Sequence, residues 1–196
     1  MRKAARSGWK WVVLVVMGLV LRAVAAQAVG QDLQEIAKEF DKLVGRAWKL
    51  KSAGRYQEME ALGRRLLQIA DGPLQGDSRY RAAALITLGA ALHEQGRYQE
   101  AEPLLKEALA IRRKLFGNEH PAVATSLHNL ALLYAAMGRY QEAEPLYKEA
   151  LAIRRKRFGN EHPDVADSLN NLAALYWRMG RYQEAEPLYK EALAIR

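Results

Sequence analysis

The sequence contains no cysteine, so disulfide bonds and thiol chemistry are excluded and the redox compartment has to be read from other features. Glycine-rich phosphate loops, the Gly-x-Ser-x-Gly nucleophile elbow and any paired nucleophile and base are missing too. The chain is therefore expected not to be an enzyme, and no cofactor or small-molecule substrate is expected. A metal is not expected either. His120 and His162 each follow a glutamate but lie in separate segments, whereas zinc needs several ligand atoms at about 2 Å. They read as residues at helix starts, each beside its proline. Glycine and proline are sparse and low-complexity runs are absent, which argues for a folded chain.

A basic stripe of the kind that follows nucleic acid is also lacking. The net charge is +8, but Arg2, Lys3, Arg6, Lys10 and Arg22 fall within residues 1–28, where there is no acid. That leaves an excess of only +3 over the rest of the chain, spread along segments rich in glutamate. The clusters Arg112-Arg113-Lys114 and Arg154-Arg155-Lys156-Arg157 sit near expected helix ends, where they complement the helix dipole. No nucleic-acid partner is expected.

No apolar run reaches the roughly 20 residues that a bilayer span needs. The longest, Trp11 to Leu21, follows a basic head and precedes the small-residue stretch RAVAAQA. Those are the three parts of a secretory signal, with cleavage after Ala25 or Ala28. Residues 1–28 are thus expected to direct export to the periplasm or the medium. The rival reading is an uncleaved anchor formed by residues 11–29.

What the sequence does have is a repeat. RYQEAEPLLKEALAIRRK begins at Arg97, RYQEAEPLYKEALAIRRK at Arg139 and RYQEAEPLYKEALAIR at Arg181, each 42 residues after the last. A worn copy, RYQEME, begins at Arg55, and FGNEHP recurs at Phe116 and Phe158. Each unit reads as two helices. Pro121 and Pro163 suit a first helical position, and Gly180 suits the residue closing a helix. Val165, Leu169, Leu172, Ala173 and Tyr176 recur at helical spacing in the first helix of the last unit. Ala185, Leu188, Tyr189, Ala192, Leu193 and Ile195 form the apolar side of its second. Pro187 predicts a kink or a late start there. The spacing predicts helix pairs at 79–95/98–115, 121–137/140–157 and 163–179/182–196.

The pattern Leu130, Ala131, Tyr134, Gly138, Ala143, Tyr147, Ala150, met again by Leu172, Ala173, Tyr176, Gly180, Ala185, Tyr189 and Ala192, resembles the tetratricopeptide repeat. The 42-residue step and the F-G-x-E-H-P linker resemble the kinesin-light-chain type, which is common in bacterial proteins. The resemblance implies an all-α, right-handed solenoid of helix-turn-helix repeats that holds a peptide or partner protein in a concave groove. Three repeats are expected at 79–120, 121–162 and 163–196, the last truncated, after a degenerate or capping unit at 31–78. The first full unit departs from the pattern, with Leu92 and Leu105 in place of the two tyrosines. One helix pair cannot cover its own apolar stripe, so stacked units share a core, and the tyrosine stripes are read as core.

Two units compared with each other point to the binding face. Their second helices, Arg139–Arg154 and Arg181–Arg196, are identical. The first helices differ at Ala122/Asp164, Thr125/Asp167, His128/Asn170, Leu132/Ala174, Ala135/Trp177 and Ala136/Arg178, which span an arc of roughly 140° at helical pitch. Asn129 and Asn171 share that arc without changing, and Thr87 occupies the position in the first unit. An amide there could pair with any peptide backbone, or bridge two helices. The expected groove comprises Thr87, His93, Thr125, His128, Asn129, Asp167, Asn170, Asn171, Trp177 and Arg178. The alternative is the sensor arm of a longer multidomain protein with a catalytic domain beyond Arg196. The helix at 182–196 continues as RKRFG in the earlier copy, and an uncapped last repeat could also self-associate.

Overall fold

The computed structural model describes residues 30–195; the signal and anchor readings fall on residues outside that range. By internal contacts the chain divides into Met1–Lys42 and Leu43–Arg196. In the first, the described residues 30–42 are helical.

The described residues are all-helical, with no strand among them. Helix α1 covers 30–52, followed by α2 (Tyr56–Asp71), α3 (Ser78–Glu94), α4 (Tyr98–Phe116), α5 (Pro121–Ala136), α6 (Tyr140–Phe158), α7 (Pro163–Arg178) and α8 (Tyr182–Ile195). No described helix is long and apolar enough to cross a membrane. In the second unit, α3/α4, α5/α6 and α7/α8 form hairpins, and α4 packs on α5 as α6 packs on α7. Each hairpin thus buries its apolar stripe against the next, which is the solenoid principle. One continuous core runs from Leu85 to Ala192, filled by Leu105, Leu127, Leu133, Leu169 and Leu175. A smaller cluster joins Ala47 and Leu50 of α1 to Met59 of α2 and Ala90 and Ala91 of α3.

Local chemistry sets the helix ends. Pro163 opens α7, where its missing N–H costs no hydrogen bond, and the Nδ1 of His162 accepts from Asp164 N at 3.1 Å as the cap. His120 does the same for Ala122 N at 3.1 Å. Phe116 and Phe158 stack on these imidazoles at 4.6 and 4.5 Å between ring centres, which holds each cap in place. At the far end, Gly180 has φ +75°, a left-handed conformation that a side chain would strain. Its N–H donates to Trp177 O, and that of Arg181 to Tyr176 O, closing a Schellman turn. The start of α8 is not delayed by Pro187: the helix begins at Tyr182, and this proline lies on its exposed side, where solvent can satisfy the freed carbonyl.

The junctions between hairpins carry polar staples as well as core. Glu144 accepts from Tyr176 Oη at 3.0 Å and from Arg181 Nη1 at 2.6 Å, and Glu102 accepts from Tyr134 Oη at 3.1 Å and Arg139 Nη1 at 2.8 Å. Each arginine also lies 4.2 Å over the tyrosine ring. At the first junction Leu92 stands where the tyrosine would be, and Glu60 is held instead by Gln95 at 2.9 Å and Arg97 at 2.8 Å.

The basic clusters do lie in the last turns of α4 and α6, where they complement the helix dipole, and they also reach the next hairpin. Arg112 reaches Ala122 O at 2.8 Å and Ser126 Oγ at 3.2 Å in the next hairpin; Arg154 likewise reaches Ser168 Oγ at 2.6 Å. Burial lowers the pKa of both guanidiniums. Arg113 and Arg155 bond Glu149 and Glu191 in the following hairpins, at 2.7 and 2.5 Å. These bases tie successive units together.

Candidate functional site

The first helices of consecutive hairpins, α3, α5 and α7, present their ends to a common pocket of about 190 Å³. Its wall is His93 of α3, Leu132, Ala135 and Ala136 of α5, Tyr147 of α6, and Asn171, Ala174, Leu175 and Arg178 of α7. Small and apolar side chains form the floor, with an imidazole, an amide and a guanidinium at its edges. Such a mixture excludes water over most of its area and keeps a few directional polar contacts.

Of the ten residues expected in a groove, the structure brings His93, Asn171 and Arg178 into this pocket. Thr125 and Asp167 are exposed further towards the helix starts, and Asn170 is half-buried. Trp177 is 59% exposed, with its ring edge-on to Tyr182 at 4.7 Å. Thr87 does not belong with them. It is 1% exposed and its Oγ1 donates to Ala83 O at 2.9 Å, because α3 is covered by α2, α4 and α5. A partner could not reach it.

The two asparagines also part company. Asn171 Nδ2 donates to Asp167 O at 2.7 Å, one turn back on its own helix and not across to a neighbouring one. Asn129 Nδ2 is buried without a hydrogen-bond partner. So are His93 Nε2 and His128 Nδ1. A buried polar atom left unpaired costs about 1–3 kcal/mol. The His128 ring sits 5.7 Å from Tyr147, edge-on. Burial, then the field of Arg154, pulls its pKa down to about 4, so it is neutral at pH 7. Burial lowers His93 as well.

Leu132, Ala135, Ala136, Ala174, Leu175 and Tyr147 also line the pocket, though none was among the ten residues expected in the groove. Four of them lie at positions that differ between the two hairpins, which was the available signal; their small apolar side chains hid it. Tyr147 reads as core from its spacing, and at 2% exposed it is core, but one side of it closes the pocket. Among the described residues no cluster of three or more His, Asp or Glu is grouped as a metal would require.

The sequence profile of the tetratricopeptide repeat matches residues 50–114, 80–156 and 123–196. Among solved structures the chain is similar to a kinesin light chain from Podosopora anserina with nearly identical TPR-like repeats. That similarity is 32% in identity over 80% of this chain and 74% of that one, with a TM-score of 0.70. It shares the fold of BtubC (BKLC) from P. vanneervenii, at 24% identity, 86% and 74% coverage and a TM-score of 0.68. A Rap protein complexed with Competence and Sporulation Factor shares the fold too, at 20% identity and a TM-score of 0.72; this chain spans 82% of itself and 43% of that protein. No curated protein sequence matches.

Proposed function

Because the chain belongs to the tetratricopeptide repeat family, we propose that it is a scaffold that holds an extended segment of a protein or peptide against the face formed by α3, α5 and α7. The observation that carries this reading is the pocket of about 190 Å³ between these helices, apolar over much of its lining with His93, Asn171 and Arg178 among its residues. A peptide backbone offers both donors and acceptors at regular spacing, which such a face can use whatever the side chains. Trp177 and Arg178, both exposed at the end of α7, are of the residue types that most often dominate interfaces, and they supply selectivity. Catalysis has no part in this reading. With residues 1–28 as a cleaved signal, the scaffold acts in the periplasm or outside the cell.

The test is a photo-crosslinker placed at Ala136, on this face, and separately at Glu142, an exposed residue of α6. Crosslinking from Ala136 and not from Glu142 supports the assignment; the reverse pattern rejects it. The second reading, recruitment arm of a longer protein, uses the same face and is separated by the reading frame downstream of Arg196.

A further inference from the structure

Three alanines open the pocket between the first helices. Ala135 and Ala136 stand on α5 and Ala174 on α7, each at a position that differs from hairpin to hairpin. One repeat earlier the same positions hold His93, Glu94 and Leu132. A methyl group at each leaves about 190 Å³ open where those larger side chains would reach in. A cavity of about 150 Å³ has room for a benzene ring, so this one has room for a single apolar side chain.

The wall is also short of charge. Helix α5, 16 residues long, carries no Asp, Glu, Lys or Arg, although 27% of the chain is charged. Burial lowers the pKa of His93, which leaves it uncharged at neutral pH. Arg178 is the one formal charge among the lining residues, and it is exposed, so it stays hydrated. A lysine or arginine entering the pocket would meet that like charge. A carboxylate could bind at the rim, but between Leu132 and Leu175 it would lose its hydration for nothing in return.

We propose that this pocket takes one uncharged apolar side chain, between leucine and phenylalanine in size, from the bound segment. Ala135, Ala136 and Ala174 set that specificity. The inference rests on the reading of this face as a groove for an extended segment, and it adds what fixes the register. Backbone contacts alone would let a segment slide, whereas one side chain in one cavity holds it in place.

The test selects short peptides from a random phage-displayed library on the full chain and measures synthetic copies by fluorescence anisotropy. The enriched peptides are expected to share one position filled by Leu, Ile, Met or Phe. Ala174→Leu installs the residue that α5 carries at that position, so the fold accepts it, and it should weaken these peptides by at least about tenfold. Changing the shared apolar residue of the peptide to alanine should cost about as much. The two changes together should cost little more than either, because both forfeit the same contact. Ala136→Glu, which borrows the residue of α3, should also weaken binding, whereas Arg178→Gln should keep the apolar preference. Circular dichroism verifies the helicity of each variant. A shared charged residue whose enrichment Arg178→Gln abolishes, or losses that simply add, overturns the proposal and leaves the groove standing. Failure of the wild type to enrich any peptide overturns the groove reading, and this proposal with it.

Discussion

Arg181 and Glu144 meet at 2.6 Å across the junction between two repeat units, and the same arginine grips Glu184 in its own unit. Arg139 repeats the arrangement with Glu102 and Glu142, and Arg97 with Glu60 and Glu100. One residue type at one register position thus fastens three successive junctions. The acceptors across the junctions, Glu60, Glu102 and Glu144, are largely shielded from solvent, so their ionisation is coupled to the stacking of the units.

Acid should loosen the stack in a defined window. Glu60 is held at about 2, by hydrogen bonds from Arg64, Gln95 and Arg97 working against burial. Glu144 is also held at about 2, where burial pushes upward and is outweighed by Arg181, Lys148 and Tyr176. Unfolded glutamate titrates near 4.3, so the folded-state values are depressed. The stabilisation is complete above about pH 5 and is lost as pH falls through about 4 towards 2. Glu144→Gln should lower the thermal midpoint at pH 7, and the gap from wild type should close near pH 2. A gap that stays constant with pH would show that charge at Glu144 does not matter.

Two glycines predict opposite effects of alanine. A Cβ on Gly63 would lie 2.9 Å from Leu88 Cα, where backbone cannot give way easily. Gly63→Ala is expected to destabilise by about 1–3 kcal/mol through overpacking of α2 on α3. Gly45 lies exposed in α1 with nothing within 4 Å of a Cβ, and Gly45→Ala should stabilise by about 0.5–1 kcal/mol through helix propensity. Urea denaturation of both variants measures the contrast, and a matching sign for the two would contradict it.

The imidazole caps make a third expectation. His162→Ala removes the acceptor for Asp164 N and should cost about 0.5–2 kcal/mol, while His162→Asp keeps an acceptor and recovers much of it. Thermal melts of the two variants decide, and equal losses would mean that the stack on Phe158 matters more than the cap.

At the binding face the two asparagines should no longer behave alike. Asn129→Ala removes an unpartnered buried amide, so it should leave stability unchanged or higher while weakening partner binding by about 1–3 kcal/mol. Asn171→Ala removes an amide already engaged by Asp167 O, and its effect on binding should be smaller. Calorimetric titration of a crosslinked partner against both variants, with Trp177→Ala beside them, ranks the three. Equal affinity for all of them and for wild type would remove this face from consideration.

The period of 42 residues and the helix boundaries could be read from the sequence because local physics sets them. A proline can begin a helix without losing a hydrogen bond, and Gly180 can take a positive φ that other residues resist, wherever the rest of the chain lies. The stripe of varying positions could also be read, since it needs only helical pitch, and it contains part of the pocket wall. Which member of that stripe is available could not be read. Thr87, Asn129 and Asn171 hold one register position in three units, yet the first is buried and bonded to its own helix. The second is half-buried with its Nδ2 unpaired, and the third is bonded one turn back. The number of neighbouring helices around each decides that, and neighbours are set by residues far away in the chain. Leu151 and Leu193 make the division plain: fourteen residues of identical sequence form the same helix twice, because helix formation is local. One leucine is core and the other surface, because burial depends on whether another helix lies against it.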